Sequence, residues 1–236
     1  MTIFSDMTFM RKLNCLPKLH CLGILFLALS GQVMADGQLA KLPDPAKDIP
    51  LAKASSPQTA VFAGGCFWGI EAVFRHVNGV ISATSGYVGG AAKTARYELV
   101  STGSTGHAES VQVIYNPQKI SYGQVLKIFF SVGHNPTELN RQGPDHGTQY
   151  RSAIFTTSDS QQQVALAYIK QLQTGQVYAA PIVTQVKPLP AFYPAEAYHQ
   201  DYLARNRMQP YIVKYDLPKL EHLREQFPAV YRQPNS

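Results

Sequence analysis

Cysteine is scarce in this chain of 236 residues: there are three, an odd number, which excludes a small scaffold stapled by disulfides. Charged residues are also few, at 15%, and together with 11% aromatic residues this excludes an acidic or low-complexity disordered protein. Basic residues outnumber acidic ones by 21 to 15, but they form no basic block, so the charge does not indicate nucleic-acid binding. The length suits one domain of ordinary size or two very small ones.

A long hydrophobic run is missing from the N-terminus as well. The apolar stretch 21–29 is about half of the ~20 residues that a membrane-spanning helix needs. It follows a basic region at 11–18 and precedes the small-residue ending Val33-Met34-Ala35. This order predicts a secretory signal peptide over residues 1–35, with an uncleaved anchor as the alternative. We therefore expect the mature protein in the periplasm or outside the cell.

Cleavage after Ala35 would leave a single thiol. Cys15 and Cys21 depart with the signal peptide, and Cys66 remains. Exported proteins normally carry paired cysteines or none. Cys66 is therefore either a buried residue without a chemical role or the reactive residue of the protein. The following segment, 36–57, holds four prolines and is predicted to be a flexible linker.

The rest of the chain alternates strand-like and helical patterns. Strands are predicted at 61–63, 80–90, 110–115, 151–156 and 183–189. A helix is predicted from apolar residues spaced i, i+3, i+4, i+7, which are Ile70, Val73, Phe74 and Val77. Two more helices follow the capping patterns Ser121/Gln124 and Ser158/Gln161, and a short aromatic-rich helix is expected at 195–205.

This irregular alternation predicts an α+β fold. We expect a two-layer sandwich with a central mixed sheet, of the ferredoxin-like type. The domain is predicted to span residues 58–216, and residues 217–236 are expected to be a C-terminal tail that wraps over the surface.

The segment 64–69, Gly-Gly-Cys-Phe-Trp-Gly, is the most informative for chemistry. It places Cys66 at a strand-to-helix turn, where free backbone N–H groups and the helix dipole stabilise negative charge. The pKa of Cys66 is therefore expected to be lowered. Phe67 and Trp68, the only tryptophan, lie beside it. The alternative is a small buried cysteine next to two core aromatic residues.

A thiolate nucleophile needs a proton source and polar groups that position the reacting centre. Tyr97, Glu109, Asp145 and Tyr150 lie in loop-like sequence and are the candidates. Taken alone, each has an ordinary structural interpretation, because such a glutamate is usually solvated and a tyrosine usually packs.

Four blocks together resemble the A-type peptide methionine sulfoxide reductases. They are Gly-Cys-Phe-Trp-Gly at 65–69, Thr-Gly-His-Ala-Glu at 105–109, Asp-His-Gly-Thr-Gln-Tyr-Arg at 145–151 and Tyr-His-Gln-Asp-Tyr at 198–202. They occur in family order over residues 59 to about 216, essentially the whole predicted domain. The resemblance implies reduction of the S epimer of methionine sulfoxide, free or in proteins, without a metal or organic cofactor. For an exported protein this means repair of proteins damaged by oxidative stress.

The resemblance also implies residue roles. Cys66 would attack the sulfoxide sulfur and become a sulfenic acid, and Glu109 would protonate the leaving oxygen. A glutamate in a poorly solvated aromatic pocket keeps its proton, so its pKa is predicted to be raised. Tyr97 and Tyr150 would donate hydrogen bonds to the oxygen, and Asp145 would order the site. Phe67 and Trp68 would form a pocket for the substrate methyl group.

Two features depart from the family pattern. No cysteine follows Cys66, whereas many members carry resolving cysteines near the C-terminus. The sulfenic acid would therefore wait for an external thiol, either a small thiol or a thioredoxin- or glutaredoxin-like protein. The Asn-Pro-Thr usual before the active-site tyrosine is here Thr94-Ala95-Arg96, with the spacing to Tyr97 kept. We expect a monomer that contacts neither nucleic acid nor, after signal cleavage, a membrane.

Other interpretations of Cys66 remain open at this point. A metal site with His134, His146 or His199 is disfavoured, because these residues lack the short paired spacings of zinc ligands. An acyl-transfer enzyme would pair Cys66 with one of the histidines. A non-catalytic binding module would keep Cys66 as a structural residue.

Overall fold

The computed structural model describes residues 41–53 and 56–233. The predicted signal peptide at 1–35 and the start of the predicted linker at 36–40 lie outside the described residues. Within the described part of the chain, no helix is long and apolar enough to cross a membrane.

A six-stranded sheet forms the centre of the domain. Its strands are β1 (Gln58–Ala63), β2 (Val80–Val88), β3 (Ala108–Tyr115), β6 (Ala153–Thr156), β7 (Gln185–Pro188) and β8 (Tyr193–Pro194). A separate hairpin pairs β4 (Arg141–Gln142) with β5 (Asp145–His146). The order in the sheet is β7-β6-β1-β3-β2-β8, and only the β6–β7 pair is parallel. The predicted α+β class with a mixed sheet is confirmed.

In the part of the chain that the structure describes, six α-helices accompany the sheet: α1 (Phe67–Arg75), α2 (Tyr97–Val100), α3 (Tyr122–Ile128), α4 (Asp159–Thr174), α5 (Tyr202–Arg205) and α6 (Leu217–Gln226). The predicted apolar stripe of α1 is buried along its length. The capping box before α3 is present, since Gln124 N–H donates to Ser121 Oγ at 3.1 Å and Ser121 N–H donates to Gln124 Oε1 at 2.9 Å. Ser158 Oγ likewise accepts from Gln161 N–H at the start of α4.

The core lies on both faces of the sheet because alternate strand residues point in opposite directions. On one face, Phe62 of β1 and Ile154 of β6 join the buried residues of α1, α3 and α4 in the main cluster. On the other, a smaller cluster of Val61, Ala63, Val88, Ala108, Ala153 and Phe155 is covered by Leu189 and Phe192. With both faces covered, β1 is a rigid support for the turn that follows it.

The predicted flexible linker is wrong for residues 41–53, which pack on the domain. Leu42 is buried, and the carbonyl of Pro43 accepts from Tyr168 Oη at 2.8 Å. The carboxylate of Asp48 accepts from Gly123 N–H at 2.7 Å, in the first turn of α3. A negative charge there stabilises the helix N-terminus. The proline content of this segment predicted flexibility, but it carries no information about contacts with residues far along the chain.

The C-terminal region also differs from expectation. The predicted surface tail contains α6, whose Leu220 and Leu223 are buried against the core. The predicted helix at 195–205 is instead a 3₁₀ turn, Ala197–His199, followed by the single turn of α5. Asp201 between them has φ 53°, a left-handed conformation that interrupts a helix.

Candidate active site

Cys66 occupies the N-cap position of α1, directly after β1 and a two-glycine turn. Gly65 has φ +95°, which a side chain rarely adopts, and a methyl group there would lie 2.6 Å from Gln142. A methyl group on Gly64 would lie 2.7 Å from the His134 ring. The two glycines are therefore required for the close packing that fixes Cys66, which is a free thiol and 8% exposed.

All seven residues singled out in the sequence line one cavity of about 200 Å³. They come from separate elements: α1 provides Phe67 and Trp68, and Cys66 is its N-cap. Tyr97 opens α2, Glu109 is on β3, Asp145 is on β5 and Tyr150 ends a 3₁₀ turn. Two residues without any assigned role, Gln209 and Tyr211, complete the lining.

Sheet register places Glu109 beside the thiol. Phe62 of β1 pairs with Val111 of the antiparallel strand β3, so Glu109, two residues before Val111, lies next to the turn that leads from β1 to Cys66. Its Oε2 accepts from the backbone N–H of Phe67 at 3.1 Å. Glu109 is 1% exposed, and burial raises its pKa to about 8, against the opposing effect of the Phe67 hydrogen bond. The predicted direction for Glu109 is confirmed.

The expected lowering of the Cys66 pKa is wrong. Burial, followed by the nearby negative charges of Glu109 and Asp216, raises the pKa of this thiol well above its ordinary value. The helix N-terminus acts in the predicted direction through the Trp68 N–H, but it is outweighed. One reason is that the Phe67 N–H serves Glu109 instead of the sulfur.

Hydroxyl groups face the same cavity. Burial raises the pKa of Tyr97 to about 12 and raises that of Tyr150 as well, so both keep their protons and can donate hydrogen bonds. The Tyr97 backbone N–H is held by the Glu196 carboxylate at 3.0 Å. Asp145 accepts a short hydrogen bond from the hydroxyl of Tyr211.

Aromatic rings form one wall of the site. Trp68 stacks on Tyr202 with ring centroids 3.8 Å apart and an interplanar angle of 10°. Its indole Nε1–H donates to His199 Nδ1 at 3.1 Å, which leaves the proton of the neutral His199 ring on Nε2. Tyr202, the last residue of the sequence block 198–202, provides the stacking surface for Trp68.

Four residues near the thiol were not predicted from the sequence: Gln209, Tyr211, Asp216 and Lys219. The last two form an ion pair at 3.1 Å, in which Asp216 is buried and Lys219 is partly exposed, and both lie against Gly69 of α1. Asp216 is the last residue of the predicted domain, and Lys219 lies beyond it. The Leu220/Leu223 spacing on α6 was the one signal that could have extended it.

The histidines are engaged elsewhere. The ring nitrogens of His134 contact Ser152 Oγ and the Phe129 carbonyl, and His199 Nδ1 accepts from Trp68. The described residues include no group of three or more histidine, cysteine or acidic side chains placed to hold a metal ion. In that part of the chain no histidine hydrogen-bonds Cys66, so the geometry offers no thiol–imidazole pair for acyl transfer.

Comparisons with known proteins agree with the blocks found in the sequence. The family model described as peptide methionine sulfoxide reductase matches residues 58–230. The chain is 57% identical over 180 residues to peptide methionine sulfoxide reductase MsrA 2 of Mesorhizobium japonicum, covering 76% of this chain and 92% of the relative. It is 54% identical over 188 residues to MsrA 2 of Synechocystis, covering 79% and 88%.

Solved structures extend the likeness to the fold. Reduced Mxr1 from Saccharomyces cerevisiae aligns with a TM-score of 0.59 at 33% identity, covering 67% of this chain and 93% of that one. Methionine sulfoxide reductase A of Corynebacterium diphtheriae aligns with a TM-score of 0.55 at 33% identity, covering 64% and 76%. The chain therefore belongs to the A-type peptide methionine sulfoxide reductase family and is a peptide-methionine (S)-S-oxide reductase.

Proposed function

We propose that the reaction is thiol-dependent and proceeds through a sulfenic acid on Cys66. The sulfur of Cys66 attacks the sulfoxide sulfur, the S–O bond breaks, and the oxygen ends on Cys66. The methionine sulfur gains two electrons, and the cysteine sulfur loses two. The observation that carries this proposal is the placement of the thiol and a buried, protonated carboxyl group around one cavity.

Glu109 supplies the proton that the oxygen needs to leave. With its pKa raised to about 8, Glu109 is protonated at neutral pH and can act as a general acid. The thiol also holds its proton in the free enzyme, because burial raises its pKa well above the ordinary value. Glu109 gives its proton to the oxygen and regains the one released by Cys66, so the step consumes no net proton.

The two tyrosines stabilise the polarised S–O group. Their hydroxyls are neutral donors at working pH, so they oppose the developing negative charge without adding a positive one. Asp145 orders the site by holding Tyr211, the side chain that completes the cavity lining.

Phe67 and Trp68 provide the apolar surface for the substrate methyl group. Phe67 is 1% exposed and Trp68 is fixed by Tyr202 and His199, so the surface is rigid before substrate arrives. Burying one methyl group discriminates weakly. Selection of the S epimer therefore comes from placing the oxygen against Tyr97, Tyr150 and Glu109.

Regeneration of Cys66 requires a thiol from outside the chain. No cysteine follows Cys66 in the sequence, so no internal disulfide can form on that side. The second thiol is either a small molecule that enters the cavity or an exposed cysteine of a thioredoxin- or glutaredoxin-like protein. The turnover rate with each candidate reductant distinguishes these two sources.

We further propose that the enzyme is exported and repairs oxidised methionine residues of periplasmic or secreted proteins, as a monomer. The support is the basic, apolar and small-residue order of the first 35 residues. Cell fractionation with determination of the mature N-terminus tests this proposal. A mature protein beginning near Asp36 supports it, and a cytoplasmic protein retaining residue 1 contradicts it.

The fold is proposed to be ferredoxin-like in its central part. The elements β1-α1-β2-β3-α3-β6 follow the βαββαβ order, and their strands lie side by side as β6-β1-β3-β2. The edge strands β7 and β8 are additions to this unit.

The mechanism is tested by trapping the intermediate. Protein that has reacted with a methionine-S-sulfoxide peptide is treated with a sulfenic-acid reagent and digested, and the peptide containing Cys66 is analysed by mass spectrometry. The proposal requires the adduct on Cys66, and its absence from a Cys66→Ser variant. Methionine production without any adduct on Cys66 contradicts it.

A further inference from the structure

Glu71 is a buried acid on α1 that does not line the cavity. It is 1% exposed, and its carboxylate accepts two hydrogen bonds, from the backbone N–H of Asp201 at 2.9 Å and from Ser85 Oγ at 2.8 Å. Arg75 lies one turn further along α1. Its Nη1 is 3.9 Å from Glu71 Oε1, and its Nε is 3.1 Å from Asp201 Oδ1. An acid so deeply buried is costly unless its partners require it.

The partner segment is the wall of the active site. Asp201 lies between His199, which accepts from Trp68, and Tyr202, which stacks on Trp68. Asp201 has φ 53°, a strained conformation that surrounding contacts must maintain. A second anchor is the Gln200 amide, which exchanges hydrogen bonds of 2.9 Å with the backbone of Ser85.

The spacing along α1 explains why one acid can have this effect. Trp68 and Glu71 are three residues apart and so face the same side of the helix. The side chain of Trp68 holds the turn 199–202 through its ring, and the carboxylate of Glu71 holds the same turn through a backbone N–H. Loss of the carboxylate would leave the Asp201 N–H and the Ser85 hydroxyl without their acceptor.

We propose that Glu71 is a positioning residue that fixes the turn 199–202 against Trp68 and thereby sets substrate affinity. This inference rests on the proposed role of Trp68 in holding the substrate methyl group. Because Glu71 does not contact the cavity, its loss weakens substrate binding and leaves the sulfur chemistry largely intact.

The first test needs no substrate. Trp68 is the only tryptophan of the chain, so its fluorescence reports on the turn directly. In Glu71→Leu we expect a red-shifted emission and faster quenching by acrylamide, because Tyr202 no longer covers the indole. Glu71→Gln can still accept from Asp201 N–H and donate to Ser85 Oγ, so its emission should match the wild type. Unchanged emission in Glu71→Leu overturns the proposal.

The second test separates affinity from chemistry. For Glu71→Leu we expect KM to rise about tenfold with kcat within about threefold of the wild type, the pattern of lost uniform binding. Glu71→Gln should keep both constants near the wild-type values. A fall in kcat with unchanged KM contradicts the proposal. Should Glu71→Leu fail to fold, Ser85→Ala is expected to show a smaller change in KM and emission of the same sign, and no change in Ser85→Ala overturns the proposal.

Asp48→Leu is the matched control, since it also removes a carboxylate that accepts a backbone N–H, but at α3. It should lower stability without changing Trp68 emission. Equal emission changes in Asp48→Leu and Glu71→Leu would mean general loosening and contradict the proposal. If the wild type formed no methionine but the Trp68 emission still changed in Glu71→Leu, the proposed function would be overturned and the positioning role of Glu71 would stand.

Discussion

The backbone N–H of Phe67 donates a 3.1 Å hydrogen bond to the carboxylate of Glu109, 42 residues away in the chain. The Phe67 N–H is one of the free donors at the N-terminus of α1. Because it bonds to Glu109, it does not stabilise a negative charge on Cys66. It explains why helix-end position alone does not lower the pKa of the thiol. Cys66 and Glu109, the proposed nucleophile and acid, therefore depend on the same end of α1, and the charge of Glu109 adds to the burial that raises the pKa of the thiol.

Glu109→Gln is expected to lower the single-turnover rate by about 10²- to 10³-fold at neutral pH, because the amide cannot protonate the leaving oxygen. Stopped-flow or rapid-quench measurement of methionine formation checks this. Glu98→Gln, which changes an exposed glutamate of α2, is the control and should react like the wild type. A Glu109→Gln variant with most of its activity left would remove Glu109 from the acid role.

The wild-type rate is expected to fall as the pH rises through about 8, the raised pKa of Glu109, because the deprotonated carboxylate has no proton to give. Stability should follow the same direction. The folded state holds the Glu109 proton more tightly than the unfolded chain does. The stability that this proton contributes is therefore fully present below the ordinary glutamate pKa and is lost as the pH rises through about 8. The loss is no more than roughly 1.4 kcal/mol per pH unit.

Urea unfolding of the wild type and of Glu109→Gln, compared from pH 5 to pH 9, measures this loss. The difference in free energy of unfolding between the two proteins should shift in favour of the variant as the pH rises. A difference that stays constant over this range would mean that Glu109 titrates at its ordinary pKa.

Tyr97→Phe and Tyr150→Phe are each expected to slow the single turnover about 10- to 100-fold, because each removes one donor to the S–O group. The double variant should lose more than either single variant. Tyr193→Phe, on the edge strand β8, is the control and should have little effect. Should both single variants react at the wild-type rate, the oxygen must be held by other groups.

Gly69→Ala should destabilise the protein by roughly 3 kcal/mol, although the same change in an unhindered helix interior stabilises by about 1 kcal/mol. The added methyl group would lie 2.6 Å from Lys219 Nζ and overlap the Asp216 carboxylate. The ion pair between Asp216 and Lys219 would have to move. The sign of the change in the free energy of urea unfolding decides whether this pair is packed as described.

Local patterns predicted the parts of the fold that depend on near neighbours. The stripe of Ile70, Val73, Phe74 and Val77 and the capping box of Ser121 with Gln124 are both present in the structure. The seven predicted site residues also line one cavity, although their positions there came from the resemblance and not from spacing.

What the sequence did not reveal depends on residues far apart in the chain. Residues 195–205 have helix-compatible composition, but the Asp201 N–H bonds to Glu71, 130 residues away, and the helix is interrupted. The pKa of Cys66 is raised by burial and by Glu109 and Asp216, which no local pattern links to it. The contacts of residues 41–53 are likewise with α3 and α4.

In the proposed reaction Cys66 alone carries out one reduction and then stops. The most direct measurement mixes the reduced mature protein with excess methionine-S-sulfoxide peptide, without any reductant, and counts methionine per chain. We expect a burst of about one equivalent, with loss of the Cys66 thiol and no further turnover until an external thiol is added. No methionine, with Cys66 still reduced, would contradict it, as would continued turnover without any thiol.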